Sequence, residues 1–234
     1  LAYDPSLGTI YVANGSYASV ATGQSSIWAF NDTTYQGTAI PTGAEPNAVA
    51  YDPTNEEVFV ANSGANTVTV INATNNTPTA TIAVPSSAWG IAYDPWLNEV
   101  VVALTEADRV ALIDAGNLTL RADPTVGQDP YVAAAAGPSG AIVVADEGSN
   151  NVTVLNGSTG KVIASVAVGQ VPDGLQYDPT LGTVFVANGD SNNVSVVNIS
   201  RDSVVGSIPV GSGPDALALG GPGPILYVAD GSGN

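Results

Sequence analysis

The sequence contains no cysteine, no histidine and no methionine in 234 residues. Without cysteine the chain cannot build a disulfide framework. Without histidine and cysteine it also lacks thiolate nucleophiles, imidazole acid–base groups and the usual ligands of zinc, copper and haem. Most common catalytic and metal-binding chemistries are therefore excluded, and we predict a protein that is not an enzyme and holds no cofactor.

Basic residues are almost absent as well, and the net charge is −17. The four basic residues are Arg109, Arg121, Lys161 and Arg201. A nucleic-acid-binding protein needs Lys and Arg to displace counterions from phosphates, and an anionic membrane surface would repel this chain. There is also no apolar run of about 18 residues. We therefore expect no nucleic acid as partner and no membrane insertion in this segment.

The chain repeats itself with a period in the low forties. The triplet Tyr-Asp-Pro and its weaker copies end at Pro5, Pro53, Pro95, Pro138, Pro179 and Pro222. The spacings are 48, 42, 43, 41 and 43 residues. This is the length of one four-stranded β-propeller blade.

The second repeat shows the strands of such a blade. Alternating, β-branched segments cover residues 47–51, 57–61, 67–71 and 79–84, and Asp, Asn, Gly and Pro fill the turns between them. A β-sandwich has no reason to repeat its sequence, and a solenoid repeats in about 20 to 30 residues. The pattern therefore predicts an all-β protein, a β-propeller of four-stranded antiparallel blades.

We assign residues 1–234 to a single propeller domain, with blades beginning near residues 1, 47, 89, 131, 173 and 215. These are five complete blades and the first half of a sixth. Together they give 22 strands, and no ring of whole four-stranded blades has that number. We therefore expect the chain to be a segment of a longer one.

Three second-strand segments share a motif, which reads Ile-Tyr-Val-Ala-Asn at 10–14 and Val-Phe-Val-Ala-Asn at 58–62 and 184–188. They resemble the Tyr-Val-Thr-Asn (YVTN) repeat family. This resemblance implies a propeller, usually of seven blades, from an archaeal or bacterial cell-surface or surface-layer protein. Blade three departs from the motif at Leu104-Thr105, and blades four and six lack Tyr-Asp.

One position varies from blade to blade while its neighbours repeat. It lies at the start of each first strand, normally just after a proline, and we call its occupants the blade-start residues: Asn47, Trp89, Tyr131, Asp173 and Asp215. Aromatic rings and carboxylates around a channel mouth suit a sugar or a cation. The alternative is that they only line a water-filled channel. We also expect the loop from Ser16 to Ser26 to contact a ligand.

Two weaker interpretations concern acidic residues. Asp173 and Asp215 form a candidate acid–base pair for glycoside cleavage. The turns at 146–151, 188–193 and 230–234 are rich in oxygen ligands and suit calcium, but the same residues are typical of tight turns, which we favour.

Asn-x-Ser/Thr sequons occur nine times, where chance predicts about three. Most fall in the turn after the third strand, which suits N-glycosylation of a secreted protein. The alternative is a repeated turn that uses Asn and Thr for local hydrogen bonds. The candidate sites are Asn14, Asn31, Asn72, Asn75, Asn117, Asn151, Asn156, Asn193 and Asn198.

These observations predict a non-catalytic extracellular module of a surface layer, filament or adhesin. Its expected partners are other cell-surface proteins or glycans, or further copies of itself. The alternatives are a secreted propeller enzyme acting on a carbohydrate or lactone, and a periplasmic-type assembly scaffold.

Overall fold

The computed structural model describes residues 1–15, 25–220 and 225–231. In these ranges the chain forms 22 β-strands and one short 3-10 helix, Thr105–Ala107. The strands form five four-stranded sheets and one two-stranded sheet, each built from strands that follow one another in sequence. Every strand pair is antiparallel within its sheet, so the predicted all-β propeller blades are confirmed.

Unit 1 comprises Leu1–Ala107 and Ala111–Ala122. Blade one contains β1 (Ala2–Asp4), β2 (Thr9–Ala13), β3 (Ser26–Asn31) and β4 (Gly37–Pro41). Blade two contains β5 (Pro46–Asp52), β6 (Glu57–Asn62), β7 (Thr67–Asn72) and β8 (Thr77–Ala83). Blade three contains β9 (Ala88–Asp94), β10 (Glu99–Leu104), β11 (Arg109–Asp114) and β12 (Thr119–Ala122).

Unit 2 comprises Asp108–Val110 and Asp123–Asn234. Blade four contains β13 (Pro130–Ala135), β14 (Ala141–Asp146), β15 (Asn151–Asn156) and β16 (Lys161–Ala167). Blade five contains β17 (Pro172–Asp178), β18 (Thr183–Asn188), β19 (Asn193–Asn198) and β20 (Ser203–Pro209). The two-stranded sheet contains β21 (Pro214–Gly220) and β22 (Ile225–Asp230).

The second strand of blade two shows how neighbouring blades form the core. Because side chains alternate across a strand, Val58 and Val60 join a cluster with Tyr11 of blade one. Phe59 and Ala61 point the other way, into a cluster with residues of blade three. A strand that is buried on both faces needs a continuous apolar run, which explains the Val-Phe-Val-Ala motif.

The Asp of Tyr-Asp-Pro fixes the turn after the first strand. Asp52 Oδ1 accepts hydrogen bonds from the backbone N–H of Thr54 and Asn55, at 2.7 and 3.2 Å. The equivalent aspartates of blades one, three and five cap their turns in the same way. All four are buried, so the repeated triplet is a structural feature of the blade.

Blade four differs from the prediction that Pro138 is equivalent to the other turn prolines. The backbone N–H of Ala136 bonds to the carbonyl of Ala141, so Ala136 occupies the position of the aspartates. Gly137, with φ of 91°, takes the proline position. Pro138 therefore lies one position later in its turn than the other turn prolines do, and the prediction that it is equivalent to them was wrong.

The Tyr of the triplet reaches back to the turn of the preceding blade. The Tyr93 hydroxyl bonds to Thr54 Oγ1 of blade two and to Asn98 Oδ1, both at 2.9 Å. In unit 2, Tyr177 of blade five lies against blade four, where a Cβ on Gly137 would come within 2.4 Å of its hydroxyl. This tyrosine therefore joins neighbouring blades at the turn.

Candidate functional site

The blade-start residues share one backbone feature, a β-bulge in the first strand. In blade two, Pro46 pairs with Asn62 and Ala48 with Ala61, so that Asn47 is left over. The same shift surrounds the four other blade-start residues. A bulged residue is not held by the regular ladder and its side chain can be re-aimed, and bulges are frequent beside binding sites.

In unit 1 the blade-start residues are Asn47 and Trp89, and both are half-buried. Trp89 donates its indole N–H to Ser87 Oγ at 3.1 Å. Asn47 lies against Gly15, where a Cβ would come within 2.5 Å of Asn47 Oδ1. Each side chain thus lies close to a neighbouring loop.

In unit 2 the blade-start residues Tyr131, Asp173 and Asp215 lie within electrostatic reach of one another. Burial raises the pKa of Tyr131, and the charges of Asp173, Glu147 and Asp215 raise it further. Burial, followed by the charges of Glu147, Asp215 and Asp190, raises the pKa of Asp173 to about 6. An aromatic ring and four carboxylates therefore lie close enough to affect one another's ionisation.

Three of these carboxylates border an open pocket of about 560 Å³. Asp173 and Asp215 line it together with Asp190, Asn192 and Ser212. Glycines leave room for the carboxylates, because a Cβ on Gly189 would lie 2.5 Å from Asp173 Oδ2. The walls are rich in oxygen, which suits hydroxyl groups or a positive charge.

Sequence reasoning missed Glu147 and Asp190 as members of this group. Both lie in the turn after a second strand, which hydrogen-bonds to the loop before the first strand of the same blade. The N–H of Glu147 bonds to the carbonyl of Asp129, as the N–H of Gly189 bonds to Val171. The sequence held a signal for Glu147, because a glutamate stands there where two other blades have the small residues Ser63 and Gly189.

The oxygen-rich turns form hydrogen bonds of their own. Asn188 donates through Nδ2 to Asn193 Oδ1 at 2.7 Å and to Ser195 Oγ at 2.9 Å. In blade four, Asp146 accepts the hydroxyl hydrogen of Thr153 at 2.6 Å. Within the described ranges, no group of three or more Asp or Glu side chains is placed so that it could hold a metal ion. Residues 232–234 of the third turn lie outside those ranges.

Four sequon asparagines end third strands and cap the next turn. They are Asn31, Asn72, Asn156 and Asn198, and each uses Oδ1 to accept a backbone N–H. Asn117, inside the equivalent turn of blade three, donates through Nδ2 to Asp114. Asn14 and Asn75 are exposed, and Asn193 is half-buried.

Asn151 is different, because it is only 9% exposed and its Nδ2 donates to Ser165 Oγ. The predicted contact loop from Ser16 to Ser26 lies outside the described residues up to position 24. In the described part of the chain, no helix has the length and apolar character needed to cross a membrane.

No family model matches this sequence, and no curated protein matches it. Solved structures do resemble the fold. A protein of unknown function from Desulfotomaculum acetoxidans aligns with a TM-score of 0.78 and 16% identity, over 88% of this chain and 69% of that one. Hydrazine synthase from Kuenenia stuttgartiensis aligns with a TM-score of 0.65 and 16% identity, over 98% and 91%. At this identity the likeness concerns the fold alone.

Proposed function

We propose that this chain is a non-catalytic recognition module that binds a glycan at its blade-start residues. The observation that carries the proposal is the β-bulge repeated at the start of each first strand from blade two onward. It presents four different kinds of side chain on five blades (Asp173 and Asp215 are alike), while the rest of the strand frame stays constant. Function is commonly added to a repeat fold at such variable positions.

The chemistry of unit 2 favours a glycan that carries amino groups. The Tyr131 ring offers a face on which a sugar ring stacks, and Asp173 and Asp215 accept hydrogen bonds from hydroxyl or ammonium groups. Because the negative charges of three other carboxylates act on Asp173, a ligand with positive charge relieves their repulsion. A glucosamine oligomer combines both features.

The proposed location is the cell surface, in a surface layer, filament or adhesin. Its support is the resemblance to the YVTN repeat family and the sequons at repeated turns. The scarcity of Lys and Arg agrees with a protein that avoids nucleic acid and anionic membranes. The proposed partners are glycans and other surface proteins, including further copies of this chain.

The proposal is tested by calorimetric titration with glucosamine tetramer and, for comparison, its N-acetylated form. We expect the free amine to bind the protein more tightly than the acetamide. The double variant D173N/D215N should weaken binding of the glucosamine oligomer by about tenfold or more, since charged hydrogen bonds contribute about 1.5–3 kcal/mol each. Y131A should weaken the binding of both oligomers, because each has a sugar ring that stacks on the tyrosine.

E106Q is the control, because Glu106 is an exposed acid in unit 1. It removes one negative charge and should leave the affinity unchanged. Equal affinity of the wild type and D173N/D215N for glucosamine tetramer, with both folded by circular dichroism, would contradict the proposal.

An enzyme is the second candidate, and one observation favours it. Asp173 is half-buried with a pKa of about 6, whereas Asp215 in the neighbouring sheet is exposed. Carboxylates in different environments suit an acid–base pair. Release of reducing ends from the same oligomers, lost in D173N, would establish hydrolysis and replace the binding proposal.

A further inference from the structure

A second pocket in unit 2 lies where blades four and five meet, at the turns that follow their first strands. Its volume is about 330 Å³. The walls are largely apolar and include Ala136, Ala141, Val154, Ile163 and Ile199. The blade-start residues lie at the other end of the first strands, so this pocket is separate from the site proposed above.

The equivalent place in unit 1, between blades two and three, is occupied by a polar network. Asn55 Nδ2 donates to Asp52 Oδ2 at 2.7 Å and to Asn98 Oδ1 at 3.3 Å. The Tyr93 hydroxyl bonds to Asn98 Oδ1 at 2.9 Å. These side chains connect the two blades and fill the space between their turns.

The equivalent residues of unit 2 lie 84 positions further along the sequence, two blades on from those of unit 1. Most of them are smaller or cannot take part in such a network. Ala136 replaces Asp52, and Gly182 replaces Asn98. Glu57 is likewise replaced by Ala141. Only the tyrosine is kept, as Tyr177. The pocket therefore results from specific sequence differences at one blade junction and is not a general feature of the fold.

Two polar groups at the pocket lack the partners that a folded protein normally supplies. The Tyr177 hydroxyl makes no hydrogen bond with the described residues, whereas Tyr93 has two partners. Asp202, the one charged side chain that lines the pocket, has a buried Oδ1 that accepts no hydrogen bond. Because buried polar atoms are usually paired, the buried Oδ1 of Asp202 indicates a ligand with a hydrogen-bond donor.

We propose that this pocket binds a small organic cation, a protonated amine attached to an aromatic or branched aliphatic group. The apolar walls cover the body of the ligand, and the Asp202 carboxylate accepts the ammonium N–H. The volume lies at the lower end of the range for small-molecule pockets, about 300–1,000 Å³, which suits a single ring with a short amine arm. The net charge of −17 favours a cation over an anion.

The experiment compares benzylamine, benzyl alcohol and benzoate by calorimetry on the folded chain. Benzylamine should bind at least about tenfold more tightly than benzyl alcohol, and benzoate should show no binding up to about 10 mM. D202N should reduce the affinity for benzylamine to that for benzyl alcohol.

Two variants fill the pocket. G182N restores the residue of the other junction, and it should fold because Asn98 adopts φ of 51° where Gly182 has 63°. A Cβ on Gly182 meets no atom within 4 Å. A141L fills the pocket from its apolar wall. Each variant should lower the affinity for benzylamine by about tenfold or more.

D190N is the matched control, because it removes one carboxylate at the blade-start pocket. It should leave benzylamine binding unchanged, which also separates this proposal from the glycan site. The proposal is overturned if benzylamine does not bind below about 10 mM, or if benzoate binds equally well. Unchanged binding by both folded filling variants would overturn it as well.

Discussion

At the scale of single residues, Asp146 shows how one substitution alters a repeated contact. Its position in blade four corresponds to Asn62 and Asn188 in blades two and five, whose amides donate to the following strand. An ionised carboxylate cannot donate. Asp146 is fully buried, and burial raises its pKa to about 7, although hydrogen bonds from Thr153 and Gly127 oppose that rise.

This pKa predicts a stability that falls as the pH rises from about 4 to 7. The folded state keeps the Asp146 proton over this range, whereas the unfolded state has lost it, because the ordinary pKa is 3.8. D146N removes the ionisation and restores the amide. Its free energy of unfolding should exceed that of the wild type by on the order of 2–4 kcal/mol at pH 8, and by little at pH 4.

The measurement is urea unfolding at both pH values. N188D is the reciprocal variant, because it places a carboxylate at the same position of blade five, and it should acquire the same loss of stability with rising pH. A D146N variant whose stability parallels that of the wild type from pH 4 to pH 8 would show that Asp146 ionises normally.

At the scale of strands, the period and the alternation predicted most of what is observed. The second strand of blade two was predicted at 57–61 and extends over Glu57–Asn62. The β-bulges could not be predicted, because they depend on which residues pair across two strands. The pocket between blades four and five was equally hidden, because it forms only where Ala136 and Gly182 of neighbouring blades meet.

The blade junctions supply a matched pair of tyrosines. The Tyr93 hydroxyl has two hydrogen-bond partners in unit 1, whereas the Tyr177 hydroxyl has none among the described residues of unit 2. Y93F should therefore lower the free energy of unfolding by about 0.5–1.5 kcal/mol, the usual contribution of a hydrogen bond. Y177F should change it by less than about 0.5 kcal/mol, because it removes no hydrogen bond to the described residues.

Urea unfolding of both variants, without added ligand, provides the comparison. The two substitutions remove the same atom at equivalent positions, so differences in ring packing largely cancel. Equal losses of stability in Y93F and Y177F would mean that the hydroxyl bonds at the turn do not hold neighbouring blades together.

At the scale of the whole molecule, repetition raises the question of which features are functional and which are copied with the fold. Capping explains Oδ1 of the buried aspartates in the first turns, and it explains Oδ1 of the asparagines that end the third strands. The capping bond leaves Nδ2 of Asn72, Asn156 and Asn198 without an acceptor among the described residues. A structural role at Oδ1 and a sugar at Nδ2 are therefore compatible.

We expect sugar on the turns after the third strands, at Asn72, Asn156 and Asn198, and at Asn117 once its bond to Asp114 is released. Glycopeptide mass spectrometry of protein secreted from a glycosylating host measures each sequon separately. Asn151 is the internal control, because it carries a sequon but is buried, with Nδ2 donating to Ser165. It should remain bare. Unmodified peptides at all four turns would show that the sequons were copied only as turn formers, and modification of Asn151 would show that sugar is attached before blade four folds.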